Sequence, residues 1–138
     1  MVARLKGSGA EGVEQTGSVT TFSGGRLPLR NIIGSFHPER KERILLFAHW
    51  DTRPFADKDD ERTNQPIDGA NDGGSGVGIL LEIARHLAQK EHGPGVDILF
   101  TDVEDHGQPS GAMGMDEHSI DTWCLGSQYW VKNPHVPN

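Results

Sequence analysis

Two short apolar runs, residues 43–48 (RILLFA) and 96–101 (VDILFT), bracket a stretch whose apolar residues recur at helical spacing. In that stretch Val77, Leu80, Leu81, Ala84, Leu87 and Ala88 line one face, with Glu82, Arg85, Gln89 and Lys90 on the other. Near-continuous apolar runs are what strands covered on both faces require, and the pattern between them is that of an amphipathic helix. Strand 43–48, helix 76–90 and strand 96–101 therefore form a β-α-β unit, with parallel strands and a right-handed crossover. This unit fixes the fold class as α/β.

The remaining segments fit around it. Residues 2–9 read as the tail of a helix stopped by Gly7 and Gly9. Residues 17–22 (GSVTTF) and 29–36 (LRNIIGSF) read as two strands of a hairpin. The polar stretches 54–66 and 108–119 are long loops, and residues 126–132 begin a helix. At 138 residues the chain is expected to be one domain with one core. With 13 Lys plus Arg against 20 Asp plus Glu, it has no basic stripe for phosphates, which argues against a nucleic-acid partner. The single cysteine, Cys124, rules out a disulfide framework or a cysteine-based zinc finger; it reads as a small buried hydrophobe rather than a nucleophile. No apolar run approaches the roughly 18 residues of a membrane span, and residues 1–12 lack the apolar core of a signal peptide; compartment stays open.

The polar residues collect where the β-α-β unit has its carboxyl edge. His49 and Asp51 follow the first strand, Asp72 precedes the helix, and Glu104 and Asp105 follow the second strand. Ligand sites of open α/β sheets lie at that edge. Taken singly, each residue has an ordinary structural explanation: Asn71 or Asp72 before a helix is usually an N-cap, and an acidic pair after a strand is usually a solvated turn. Four clustered carboxylates, with only Arg53 and Lys58 as nearby cations, repel one another. A divalent cation removes the conflict, and imidazole with carboxylates suits zinc. Of the other histidines, His37, His86, His92 and His118 read as surface or loop residues, and His106 alone is near enough in sequence to line the site.

Four ordered blocks, AHWDTRPFAD (48–57), GANDGGSGVGILLEIARHL (69–87), VDILFTDVEDHG (96–107) and WCLGSQYW (123–130), resemble those of the zinc aminopeptidase and glutaminyl cyclase family. LRNIIGSF (29–36) is similar to the strand preceding the first block. The resemblance implies a three-layer α/β/α domain, phosphorylase/hydrolase-like, with a mixed, mostly parallel sheet. It also implies one or two zinc ions and a peptide N-terminus as substrate. By resemblance, His49, Asp72 and Asp105 are metal ligands, with Asp72 either bridging two zincs or binding the only one. Glu104 is the general acid/base, and Asp51 assists catalysis by fixing the imidazole of His49.

The family pattern continues with another acid and a histidine that the chain does not supply, and His135, in its Pro-rich tail, is not assigned to that role. The chain is accordingly expected to be the N-terminal half of the domain, truncated at its C-terminus, with an apolar sheet edge exposed for self-association. The resemblance implies an aminopeptidase-type exopeptidase; a glutaminyl-peptide cyclotransferase uses the same residues, and an inert peptide-binding remnant is a third reading.

Overall fold

The computed structural model describes residues 1–90, 93–108 and 119–136. Its order is α1 (Val2–Gly7), β1 (Glu11–Thr20), β2 (Arg26–Phe36), β3 (Arg43–His49), α2 (Gly74–Leu87), β4 (Gly95–Thr101), a 3₁₀ turn at Ser119–Thr122 and α3 (Leu125–Lys132). The expected loop 108–119 and the histidines His92 and His118 fall almost wholly outside the described residues.

The four strands form one sheet in the order β1-β2-β4-β3. β3 and β4 are adjacent and parallel, with His49 opposite Thr101. β1 and β2 form the hairpin, and β2 then runs antiparallel to β4. The sheet is mixed as expected, but among the described strands two of its three pairings are antiparallel. The reason is connective: a tight turn at residues 21–25 forces β1 and β2 antiparallel, and the crossover sends β3 to the far side of β4, leaving β2 beside it. β1 also begins six residues earlier than expected. Its first half, EGVEQT, is polar because β1 is an edge strand, so hydrophobicity does not mark it.

Helices cover both faces of the sheet, which gives the three layers. Leu5 of α1 and Leu80 and Ala84 of α2 pack against Ile32, Phe36, Val96, Ile98 and Phe100. On the opposite face, Leu125 of α3 packs with Leu29 and Val103, and Tyr129 closes over them. β4 is buried at all seven of its positions, lying inside the sheet between β2 and β3.

The α3 face also holds a polar cluster. Asp97 accepts from the Ser35 hydroxyl at 2.6 Å and from the Nε and Nη2 of Arg43, each at 2.7 Å. Burial pushes the Asp97 carboxyl up, but Arg43 and Ser35 together hold it below its ordinary value. His135 lies here, its Nε2 3.4 Å from Asp97 Oδ1 and its Nδ1 accepting from Trp130 Nε1. Asp97 sits near the start of β4, so His135 is at the end of the sheet away from the acidic residues.

Candidate active site

The carboxyl edge of β3 and β4 brings His49, Asp51, Asp72, Glu104 and Asp105 together. His49 ends β3 and its Nε2 lies 3.0 Å from Asp72 Oδ1. Its Nδ1 lies 3.1 Å from the carbonyl oxygen of Asp51 and 3.7 Å from Glu104 Oε2.

Asp72 does not cap α2. The N-cap is Gly73, which has no side chain to do so, and the Asp72 carboxylate turns to His49 instead. Gly73 is needed there: its φ is +91°, and a Cβ would stand 2.6 Å from the Asp51 carbonyl and 3.4 Å from His49 Cε1. Only glycine combines that backbone with that proximity.

The turn after β4 aims the acidic pair. Val103 adopts φ +50°, a left-handed conformation that is costly for a β-branched residue. It is held because Val103 is buried against Leu29 and Leu125, and because the two following amides have a built acceptor. Asp51 supplies that acceptor: Oδ1 takes the Glu104 N–H at 3.0 Å and Oδ2 the Asp105 N–H at 3.1 Å. The Asp51 carboxylate is 3.8 Å from His49 Nδ1, so in this structure its hydrogen bonds go to the acidic turn, and the imidazole is met by the Asp51 backbone. His106 Nδ1 is 3.4 Å from Asp51 Oδ2, which puts His106 at the site.

Two further residues belong to the site. Arg53, seen in the sequence only as a nearby cation, is one of them. Its Nη2 and Nε donate to Asp105 Oδ1 at 2.8 and 3.2 Å, its backbone N–H to Oδ2 at 2.9 Å, and its Nη1 to Asp57 at 2.8 Å. The guanidinium also lies 5.6 Å from the centroid of the Trp123 ring. Asp105 is only 4% exposed, and the bonds to it and to Asp57 raise the Arg53 pKa further above an already high value. The arginine thus relieves part of the carboxylate repulsion that sequence reasoning gave wholly to a metal.

The second is Cys124, whose thiol donates to Glu104 Oε1 at 3.1 Å. Burial and, next, that carboxylate push the thiol up to about 11, so it is a protonated donor at neutral pH. It is half-buried where the sequence reading has it buried, and it touches the acidic pair. A lone cysteine 20 residues from Glu104 carries no sequence signal for that contact.

Beside Asp105 opens a cavity of about 370 Å³, walled by Phe22 and Leu27 of the hairpin, Pro54 and Phe55 of the loop after β3, and Trp123. The hairpin reaches it because β2 runs antiparallel to β4, so the β1–β2 turn projects past the carboxyl edge.

In kind, the donor set of imidazole and carboxylates suits zinc. In number it is short: among the described residues no three His, Cys, Asp or Glu groups stand where one metal ion could be held. Those residues therefore offer part of a zinc shell, with His49 facing Asp72 and Asp105 held by Arg53.

A crossover unit with a histidine and an acidic pair gathered at the carboxyl edge of a sheet covered by helices on both faces defines a domain of the α/β class. The chain belongs to peptidase family M28, whose family model matches residues 31–138. It is similar to a solved Zn-dependent exopeptidase of Parabacteroides distasonis (51% identical, TM-score 0.90), covering 99% of this chain and 46% of that one. A glutaminyl cyclase of Bacteroides thetaiotaomicron, solved with N-acetylhistamine, is 50% identical with a TM-score of 0.92, covering 99% of this chain and 47% of its own. A structure described as a leucine aminopeptidase precursor of the same species is also 50% identical, with a TM-score of 0.90 and the same coverage. The chain thus spans a little under half the length of these relatives.

Proposed function

We propose that this chain carries the front half of the active site of a zinc-dependent enzyme that processes peptide N-termini, and that the reaction is aminopeptidase-type hydrolysis. The observation that carries the reading is the convergence of His49, Asp72 and Glu104 on one sheet edge, with Asp105 fixed beside them. By the family resemblance, His49, Asp72 and Asp105 would each supply part of the metal's ligand set, which they do not complete among the described residues. Bound zinc supplies polarisation of the scissile carbonyl and a water molecule acidified towards neutral pH.

The chain's own residues do the rest. Glu104 accepts the proton of the attacking water at its carboxylate and delivers it to the departing amine. Cys124 and His49 flank that carboxylate and hold it in place, while Asp51 fixes the backbone from which it projects. The apolar walls of the 370 Å³ cavity receive a substrate side chain and exclude water beside Asp105.

A second reading has support of its own, since a 50% identical relative is described as a glutaminyl cyclase. There Glu104 takes a proton from the substrate's own α-amine and passes it to leaving ammonia, with no water attacking. Supplying the gene product with a leucyl peptide and with a glutaminyl peptide separates the two: free leucine marks the first, pyroglutamate the second.

Glu104→Gln tests the shared core of both. We expect zinc, by metal analysis, to be retained and turnover to fall roughly 100-fold or more, the usual scale for a lost general acid–base. Asp72→Asn and Asp105→Asn are expected to lose zinc first. Loss of zinc in Glu104→Gln with retention in Asp105→Asn would exchange the two roles. Taken alone, the 138-residue chain is expected to bind zinc weakly, to turn over little, and to associate with its own copies through the open edge of the sheet.

A further inference from the structure

The cavity beside Asp105 has walls of two kinds. Phe22 and Leu27 from the hairpin, Phe55 from the loop after β3 and Trp123 make it apolar. Trp123 is a fixed part of it: the indole lies against the Arg53 guanidinium and over Gly107, where any Cβ would overlap the ring. The hydroxyls and charges in the wall are engaged with one another. Thr21 bonds to the Ser23 hydroxyl and the Gly25 carbonyl, and Arg53 is shared by Asp105 and Asp57. Among the described residues, His49, Asp72 and Glu104 do not line the cavity, so what it holds sits beside the reacting bond, past Asp105.

His106, also in the wall, is engaged differently. Its Nδ1 is buried and faces Asp51 Oδ2 at 3.4 Å, and its Nε2 bonds to none of the described residues. A nitrogen lone pair aimed at a carboxylate is repelled, so Nδ1 carries the proton and Nε2 is left as an acceptor. The Asp51 carboxylate is itself fixed by the Glu104 and Asp105 amides, so a rigid group sets this tautomer. The side chain is 27% exposed although Nδ1 is closed off. Its open side is therefore the edge that carries Nε2, and the space it borders is the cavity.

We infer that His106 makes this cavity selective for an aromatic side chain that carries a hydrogen-bond donor at its tip, as tyrosine does. A volume of about 370 Å³ accommodates such a ring, and the aromatic walls receive its faces and edges. The His106 Nε2 accepts from the phenolic hydroxyl, which would otherwise lose its water on entering an apolar space. Acidic side chains are disfavoured, because Asp57 and Asp105 outnumber the one guanidinium between them. The inference rests on the proposed reading of the cavity as a place for a peptide side chain, and it adds which side chain and which residue selects it.

The test uses three capped amino acids that differ only at the tip of the ring: N-acetyl-tyrosinamide, its O-methyl ether and N-acetyl-phenylalaninamide. Their binding to the 138-residue chain is followed by ligand-observed NMR. We expect the tyrosine compound to bind about tenfold more tightly than the other two, the scale of one hydrogen bond to a group otherwise left unpaired. The ether keeps the oxygen and loses the donor, so it should behave as the phenylalanine compound does. His106→Leu is expected to abolish the difference while all three still bind, and His106→Gln, which restores an acceptor, to regain part of it. Four results overturn the inference: no binding by any of the three, equal binding of the tyrosine and phenylalanine compounds, an ether as tight as the phenol, or a tyrosine preference that survives His106→Leu. The measurement needs neither zinc nor turnover. A His106-dependent tyrosine preference in a chain without zinc or peptide turnover would leave the inference standing and remove the proposed function. Turnover with no discrimination between the tyrosine and phenylalanine compounds would do the reverse.

Discussion

Replacing Asp51 by Asn isolates the contact on which the aim of the acidic pair depends. The wild-type carboxylate accepts two backbone N–H groups, from Glu104 and Asp105, at 3.0 and 3.1 Å. Asn keeps one acceptor oxygen and turns the other into an NH₂ group facing an N–H, donor against donor. One charge-assisted bond is lost and the other becomes neutral, a cost of about 2–3 kcal/mol. Relief of repulsion among the neighbouring carboxylates offsets part of it, leaving about 2 kcal/mol. With a urea m-value of about 2 kcal/mol/M, the unfolding midpoint falls by about 1 M. Because the loss is local, hydrogen exchange at the Glu104 and Asp105 amides should accelerate about 30-fold, the same free energy read as a rate. In a His49→Ala background the loss should persist, since the carboxylate acts on the turn and not through the imidazole. A midpoint within about 0.3 M of wild type, with unchanged exchange at both amides, would refute the reasoning. So would disappearance of the effect when His49 is absent.

Two further outcomes follow from the same geometry. With its thiol pushed up to about 11, Cys124 should react with iodoacetamide at pH 8 on the order of 100-fold more slowly than free cysteine. Its rate should climb with pH towards 11, and Glu104→Gln should speed it; a plateau reached by pH 9 would remove the thiol–carboxylate contact. Arg43→Met should destabilise the fold by about 3 kcal/mol, because it strands the buried Asp97 carboxylate, whereas the Arg43→Met/Asp97→Asn pair should recover much of that. The depressed Asp97 carboxyl contributes stability above its ordinary value of 3.8, lost as pH falls below that value through the folded one. Acid unfolding of the doubly substituted chain should lack this component, and an identical acid profile would contradict the pairing.

What the sequence determined by itself is the β-α-β frame and the edge at which its polar residues meet. Strand burial, helical periodicity and the handedness of the crossover are local rules, and together they place His49, Asp72 and the Glu104–Asp105 pair at one carboxyl edge without any knowledge of distant contacts. The four ordered blocks added the family for the same reason, since each block is a local element with its own turn chemistry.

The tertiary structure decided which atoms pair within that cluster. Asp51 sits two residues from His49, and the family resemblance implied that it fixes the imidazole. Yet its carboxylate is taken by amides more than 50 residues away, because Val103 turns left-handed and presents two N–H groups in succession. Arg53 and Cys124 reach the acidic pair from segments with no periodicity, so the sequence offered Arg53 only as a nearby cation and gave no sign of the Cys124 contact. The polar first half of β1 is a strand only because β2 is there to bond it, and β2 lies beside β4 only because the crossover carried β3 to the other side. Hydrophobic pattern registers burial, and edge strands, polar turns and long-range carboxylate–amide bonds bury little; they are fixed by where the chain returns, which only the assembled fold specifies.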